Sequence, residues 1–245
     1  MDPIFGIRKV LSNRKLGSYY EITIEDEEMS KRAKCGNFLM IGLPGLDPYL
    51  LRPFSFLDVN DNSFSILLKV KGKGTELLAE LRRGDEVKVL GPIGKSFDPP
   101  SEGILIGGGI GIAPLYYQSK WMRGGKLFFG AKNEEEIILV KEFEQRNFKV
   151  RTIIEKKGGV VSELVERYLE EISNEEIFIC GPEEMIKAVI KVLSKSQLEK
   201  TYVYVEERMG CGLGGCKSCV VKTKEGYKQL CIDGPIFPLR EIKFD

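Results

Sequence analysis

Ile104-Leu105-Ile106-Gly107-Gly108-Gly109-Ile110-Gly111-Ile112-Ala113-Pro114 reads as a short apolar strand, a glycine-rich turn and the start of a helix. That order opens a βαβ unit, and it is the context in which a dinucleotide phosphate meets a helix N-terminus. The run is not the Rossmann fingerprint. Counted from Gly109, the third glycine is replaced by Pro114, and the acidic residues Glu134 to Glu136 fall past the end of the next strand. From spacing alone a nucleotide loop and a simple tight turn are both open.

Downstream of this turn, strands alternate with helical patterns. Lys126 to Ala131, Lys149 to Glu155, Ile177 to Cys180 and Tyr202 to Val205 read as strands. Val140 to Arg146, Val161 to Ile172 and Glu183 to Ser196 read as helices. The rhythm predicts a parallel sheet. Upstream the pattern differs. Tyr20 to Glu25, Asn37 to Leu43, Phe54 to Val59, Phe64 to Val70 and Glu86 to Leu90 are short strands, and Asn60-Asp61-Asn62 is a hairpin turn between two of them. One helix, Glu76 to Arg82, interrupts them, with Thr75 as its expected N-cap. These strands predict a small antiparallel barrel or sandwich, and the proline- and glycine-rich stretch from Gly91 to Gly103 marks the boundary. The expectation is a multi-domain chain of three parts: 1–98 antiparallel, 99–205 α/β, and 206–245 a small tail too short for its own core and so organised by a metal.

Composition narrows the chemistry. The 245 residues include 42% hydrophobic residues, enough for a packed core at roughly 150 residues per domain. Lys plus Arg number 37 against 36 for Asp plus Glu, a net charge of +1 that gives no general attraction to nucleic acid or acidic lipid. There is no histidine, which excludes Ser-His-Asp and Cys-His nucleophiles and imidazole-ligated metals. No signal peptide or membrane span is read in the sequence, so a cytoplasmic protein is expected.

Four of the six cysteines stand at Cys211, Cys216, Cys219 and Cys231. C-x4-C-x2-C with a distant fourth cysteine is the plant-type [2Fe–2S] spacing. The interleaved Gly210, Gly212, Gly214 and Gly215 are expected to permit positive φ and close approach of N–H groups to sulfur. A four-cysteine zinc site and two disulfides are the other readings; zinc more often uses two C-x2-C knuckles, and only Cys216–Cys219 qualifies.

In the antiparallel part, Leu51-Arg52-Pro53-Phe54-Ser55-Phe56 begins a strand. Arginine offers a planar fork of donors suited to a pyrophosphate, and a serine hydroxyl can bond a heterocycle edge. Gly72-Lys73-Gly74-Thr75 then opens the helix, where free N–H groups favour phosphate.

Taken together, the Arg-Pro-x-Ser strand, the glycine run ending in Ala-Pro and Cys180-Gly181-Pro182 resemble the ferredoxin–NADP reductase superfamily, an FAD-binding barrel followed by a nicotinamide-binding α/β domain. Glu207-Arg208-Met209-Gly210-Cys211-Gly212 and Asp233-Gly234-Pro235 narrow the match to electron-transfer subunits of NAD-dependent two-subunit dihydroorotate dehydrogenases. The resemblance implies that Arg52, Pro53, Phe54 and Ser55 hold FAD, with Arg52 at the pyrophosphate. It also implies that Leu67, Leu68 and Lys69 contact FAD chiefly by backbone, and that Gly74 and Thr75 take the phosphates. Gly108, Gly109 and Gly111 would form the nicotinamide-domain loop, with Cys180, Gly181 and Pro182 near the nicotinamide. Phe54 departs from the tyrosine of many relatives and loses its hydroxyl. By the same resemblance, electrons from an FMN-containing dihydroorotate dehydrogenase catalytic subunit pass through a [2Fe–2S] cluster on Cys211, Cys216, Cys219 and Cys231 to FAD and on to NAD+. The implied assembly is a heterotetramer of two of each subunit. A ferredoxin- or sulfur-linked reductase subunit, a stand-alone NADH oxidase and a zinc-stabilised interaction module are the competing readings.

Overall fold

The structure, a computed structural model, describes residues 2–45, 47–172 and 174–244. The chain forms two compact units. One comprises Met1–Phe97, Glu206–Val220 and Lys228–Pro235; the other comprises Asp98–Val205, Val221–Tyr227 and Ile236–Asp245.

In the first unit, β1 (Ile4–Leu16), β2 (Tyr19–Glu25), β3 (Phe38–Gly42), β4 (Arg52–Val59), β5 (Ser63–Leu68) and β6 (Glu86–Ile93) close into an antiparallel barrel in the order β1-β2-β5-β4-β3-β6. The expected Asn60-Asp61-Asn62 turn joins β4 to β5, with Asn60 N–H donating to the Ser63 carbonyl at 2.8 Å. Every residue of β5 is buried, and the Phe56 and Phe64 rings meet edge to face at 5.5 Å in the core.

Two elements here carry weaker sequence signals. The long β1 alternates half-buried with exposed residues, so its charged positions hide the pattern. The helix α1 (Glu27–Arg32) has a legible cap: the Asp26 carboxylate accepts from Met29 N–H at 2.9 Å and also pairs with Arg8 at 2.5 Å. The next helix, α2 (Lys73–Ala79), starts three residues earlier than expected. Its N-cap is Gly72, and Thr75 lies inside the first turn, because the Thr75 hydroxyl folds back to accept from Lys71 and Gly72 N–H at 2.9 and 3.1 Å.

The second unit alternates as expected: β7 (Glu102–Gly108), α3 (Ile112–Ser119), β8 (Gly124–Ala131), α4 (Val140–Gln145), β9 (Phe148–Ile154), α5 (Val161–Arg167), β10 (Ile177–Cys180), α6 (Glu183–Val192), α7 (Lys195–Glu199) and β11 (Thr201–Tyr204). The tail adds the hairpin β12 (Val220–Thr223) and β13 (Gly226–Gln229), the single turn α8 (Leu230–Asp233) and β14 (Ile236–Pro238). The sheet runs β14-β11-β10-β7-β8-β9; five strands are parallel, and β14 is antiparallel on β11. Two expected helices are shorter. The 161–172 segment leaves helical geometry at Tyr168, whose ring stacks under the Arg151 guanidinium at 3.6 Å. The 183–196 segment breaks at Leu193, and Ser194 caps a new helix by accepting from Gln197 N–H.

Candidate functional site

In the barrel, β4 pairs with β3 along Arg52–Ser55 (Ile41↔Arg52, Met40↔Pro53, Leu39↔Phe54, Phe38↔Ser55). It meets β5 only from Phe56 onward, through Phe56↔Ile66, Asp58↔Ser65 and Val59↔Phe64. On its other side β5 remains paired with β2 as far as Leu68. The barrel wall is therefore parted between Arg52–Ser55 and Leu67–Lys69, the two segments expected to hold a flavin. A parted edge of this kind is where backbone groups can meet a heterocycle. Lys69 itself extends over the Tyr19 ring, its Nζ 5.7 Å from the centroid.

Arg52 crosses to α2. A Cβ placed on Gly74 would stand 2.2 Å from Arg52 Nε and 2.4 Å from its Cζ, so glycine is required for the guanidinium to lie on the helix backbone. Arg52 also donates to the Leu50 carbonyl at 2.5 Å. Two groups absent from the expected set join this site: Asp47 and Lys73 form an ion pair between the β3–β4 loop and the first residue of α2. The sequence signal was the lysine inside Gly-Lys-Gly-Thr. Thr75 contributes structure rather than an open hydroxyl, since its oxygen also donates to the Gly72 carbonyl at 2.8 Å.

The tail cysteines assemble in the same unit. Leu213 and Cys216 N–H point at Cys211 Sγ at 3.3 and 3.4 Å. Ser218, lying between two of the cysteines, accepts from Gly210 N–H at 2.9 Å and approaches Cys216 Sγ at 3.1 Å. Hydrogen bonding to Ser218, then to Cys211, lowers the Cys216 thiol to about 6. Burial, with the Cys219 thiol beside it, raises Cys231 to about 12. Cys211 hydrogen-bonds Cys216 and Cys219 hydrogen-bonds Cys231, and Cys231 also feels Cys211, so the four thiols share one neighbourhood. Among the described residues no three metal-ligating side chains converge on a single ion-binding point. Four neighbouring thiols, with N–H groups aimed at Cys211 Sγ, suit a two-iron core held by four thiolates. The glycines divide by role. Gly212 and Gly214 adopt φ of +70° and +77°, Gly210 has Cys216 Sγ at 3.2 Å from where its Cβ would lie, and Gly215 faces open space.

In the second unit, β8 and β10 flank β7 on opposite sides, which makes the C-terminal ends of β7 and β10 the sheet's topological switch point. Gly107 pairs with Cys180 across it. The chain turns at Gly109 (φ +55°) into α3, and a Cβ on Gly111 would stand 2.4 Å from the Cys180 carbonyl oxygen. Met185, on α6, fills the space above Gly108 and Gly181, at 2.2 and 2.5 Å from their would-be Cβ positions. Gly108, Gly109, Gly111, Cys180, Gly181 and Pro182 are therefore brought together, as the sequence grouped them. Of the acidic residues beyond β8, Glu134 pairs with Lys157 at 2.8 Å and Glu136 is buried.

Residues 206–243 match the iron–sulfur cluster binding domain of dihydroorotate dehydrogenase B, and residues 105–191 match the oxidoreductase NAD-binding domain. The chain is 35% identical, over 96% of its length and 97% of the relative's, to the dihydroorotate dehydrogenase B (NAD(+)) electron transfer subunit of Caldanaerobacter subterraneus subsp. tengcongensis. The chain belongs to that family of electron transfer subunits. Among solved structures it is similar to an NADH-dependent reduced ferredoxin-NADP oxidoreductase, with TM-score 0.86 and 25% identity over 98% of this chain and 91% of that one. It shares its fold with a ferredoxin NADP+ reductase from Neisseria gonorrhoeae solved with bound FAD and NADP, with TM-score 0.65 and 19% identity over 83% of this chain and 94% of that one. Barrel, parallel sheet and iron–sulfur segment are thus as the sequence predicted. Among the described residues no helix is long and apolar enough to cross a membrane.

Proposed function

We propose that this chain is the NAD-linked electron transfer subunit of a dihydroorotate dehydrogenase, serving an FMN-containing catalytic subunit in a cytoplasmic heterotetramer of two of each. The single observation that carries the reading lies within one unit: four neighbouring thiols on a glycine-rich tail occupy the same unit as the parted barrel edge with its Arg52–Gly74 contact. When bound, a [2Fe–2S] cluster supplies one-electron transfer, FAD converts between one- and two-electron steps, and NAD+ accepts hydride.

The chain's residues place and insulate these groups. Arg52 presents its fork to a pyrophosphate, with the Gly74 N–H at the same helix start. Pro53, Phe54 and Ser55 form one side of the flavin cleft, and the backbone of Leu67, Leu68 and Lys69 forms the other. Cys211, Cys216, Cys219 and Cys231 hold the irons. The turn at Gly108, Gly109 and Gly111 cradles the dinucleotide, with Cys180, Gly181 and Pro182 at its nicotinamide end. The chain itself supplies no acid–base residue, and dihydroorotate is oxidised on the partner.

The likeness to the NADH-dependent reduced ferredoxin-NADP oxidoreductase supports a second reading, in which the partner is ferredoxin-linked. One preparation tests both: anaerobic purification from the native source, followed by an absorption spectrum, iron, sulfide and flavin analysis, and identification of the co-purifying subunit. FAD, two irons per chain and a dihydroorotate-oxidising partner are expected. A colourless, zinc-containing protein would overturn the redox reading, and a ferredoxin-linked partner would favour the second one.

A further inference from the structure

Part of the outer face of β3 and β6, around Met40, Leu90 and Ile93, is closed to solvent. Leu39 and Gly91 share one face of the wall, a Cβ on Gly91 standing 2.9 Å from Leu39 Cβ; the pleat sends their neighbours Met40 and Leu90 to the other. A residue on the outside of a small barrel is ordinarily half-exposed, yet Met40 is 0%, Leu90 7% and Ile93 4% exposed. The covering element is the cysteine loop. Gly212, next to Cys211, lies so close that a Cβ on it would stand 2.5 Å from Met40 Sδ, 3.0 Å from Ile93 Cδ1 and 3.5 Å from Leu90 Cδ2. Its φ of +70° is what turns the backbone onto this surface. The far end of the segment is fastened to the same wall, where Lys95 N–H donates to the Gly234 carbonyl at 2.6 Å. On the other side, Met40 is the direct cross-strand partner of Pro53, in the middle of the Arg52–Ser55 strand.

We infer that Met40 is the positioning residue that seats the cysteine loop on the barrel directly behind the flavin strand, and so fixes the approach of the two redox sites. The inference rests on the cofactor reading above. It requires three things of the position: an unbranched, polarisable side chain that fills an irregular gap, a glycine at 212, and the Met40↔Pro53 register.

Hydrogen exchange and freeze-quench EPR on the full complex test it. Met40→Ala is expected to keep wild-type iron and flavin content and wild-type NADH–dye activity. Amides 210–216 should exchange faster, and the cluster's EPR signal should develop several-fold more slowly after NADH is added. Met40→Leu, which conserves volume, should restore both. Gly212→Ala should loosen the same amides, and less so in the Met40→Ala background, where the Sδ contact is gone and the strain at φ +70° remains. Wild-type exchange and wild-type signal development in Met40→Ala, or strict additivity of the two changes, would overturn the assignment. The exchange measurement reads the seating even in a preparation lacking iron or flavin, so absent cofactors would count against the functional reading and not against this one.

Discussion

Gly74 gives up its side chain to Arg52: the guanidinium occupies the position where a Cβ would be, 2.2 Å from Nε. A helix start and a strand start thereby meet in one corner, the one the proposed function gives to a pyrophosphate.

Removing either side of that corner should release FAD. Arg52→Ala deletes the donor fork, and Gly74→Ala pushes it aside. A charge-assisted hydrogen bond contributes about 1.5–3 kcal/mol, so each change should weaken FAD binding roughly tenfold or more. Titration of the apo-protein with FAD measures this. Iron content should stay constant, and an Arg52→Ala protein of unaltered FAD affinity would remove the pyrophosphate assignment.

Gly111→Ala should impair the nucleotide side alone. The added methyl meets the Cys180 carbonyl oxygen at 2.4 Å, and overpacking of this kind costs about 1–3 kcal/mol. Expected are a lower Tm and a raised NADH Kd, with flavin and iron at wild-type levels.

The thiols of the iron-free protein should differ sharply in reactivity. Cys216 titrates at about 6 and is exposed, so its thiolate predominates at neutral pH; Cys231, at about 12 and buried, stays protonated. Alkylation followed by mass mapping should find Cys216 labelled first, with a rate that rises through pH 6 and levels off above it. Cys231 should be labelled last. A reversed order would contradict the described hydrogen bonding around Ser218.

Cys219→Ser should abolish the EPR signal of the reduced cluster while NADH oxidation by a soluble dye persists. In the proposed arrangement the dye takes electrons at a flavin held by the Arg52–Ser55 edge and not by the tail. A retained signal would exclude Cys219 as a ligand.

Much of this arrangement was legible in the sequence because its chemistry forces rare residue combinations. Four cysteines among glycines, Arg-Pro-x-Ser and a glycine run ending in Ala-Pro each mark a close approach, Gly210 to Cys216, Arg52 to Gly74 and Gly111 to Cys180. The strand and helix alternation from Ile104 to Tyr204 was legible for a similar reason, since buried parallel strands such as Ile177–Cys180 are continuously apolar. What escaped was set by tertiary partners. β1 is visible only once Ile4–Lys9 pair with β6 and Val10–Leu16 with β2. Thr75 reads as a cap, yet the backbone of Lys71 and Gly72 claims its hydroxyl. Asp47 and Met185 reach the candidate sites from loop and helix positions that carry no motif, and Met40 is one apolar residue within an apolar run.

The threading of the last forty residues bears on how this protein can be taken apart. After Val205 the chain visits the barrel unit, the sheet unit, the barrel unit and the sheet unit again, finishing with β14 hydrogen-bonded along β11. A deletion meant to yield a cluster-free diaphorase would therefore strip the sheet of its border strand and bare the edge of Thr201–Tyr204. A transplant of the same piece would arrive without the wall that shapes it. The iron-binding tail is woven in rather than appended, and engineering it calls for substitutions in place.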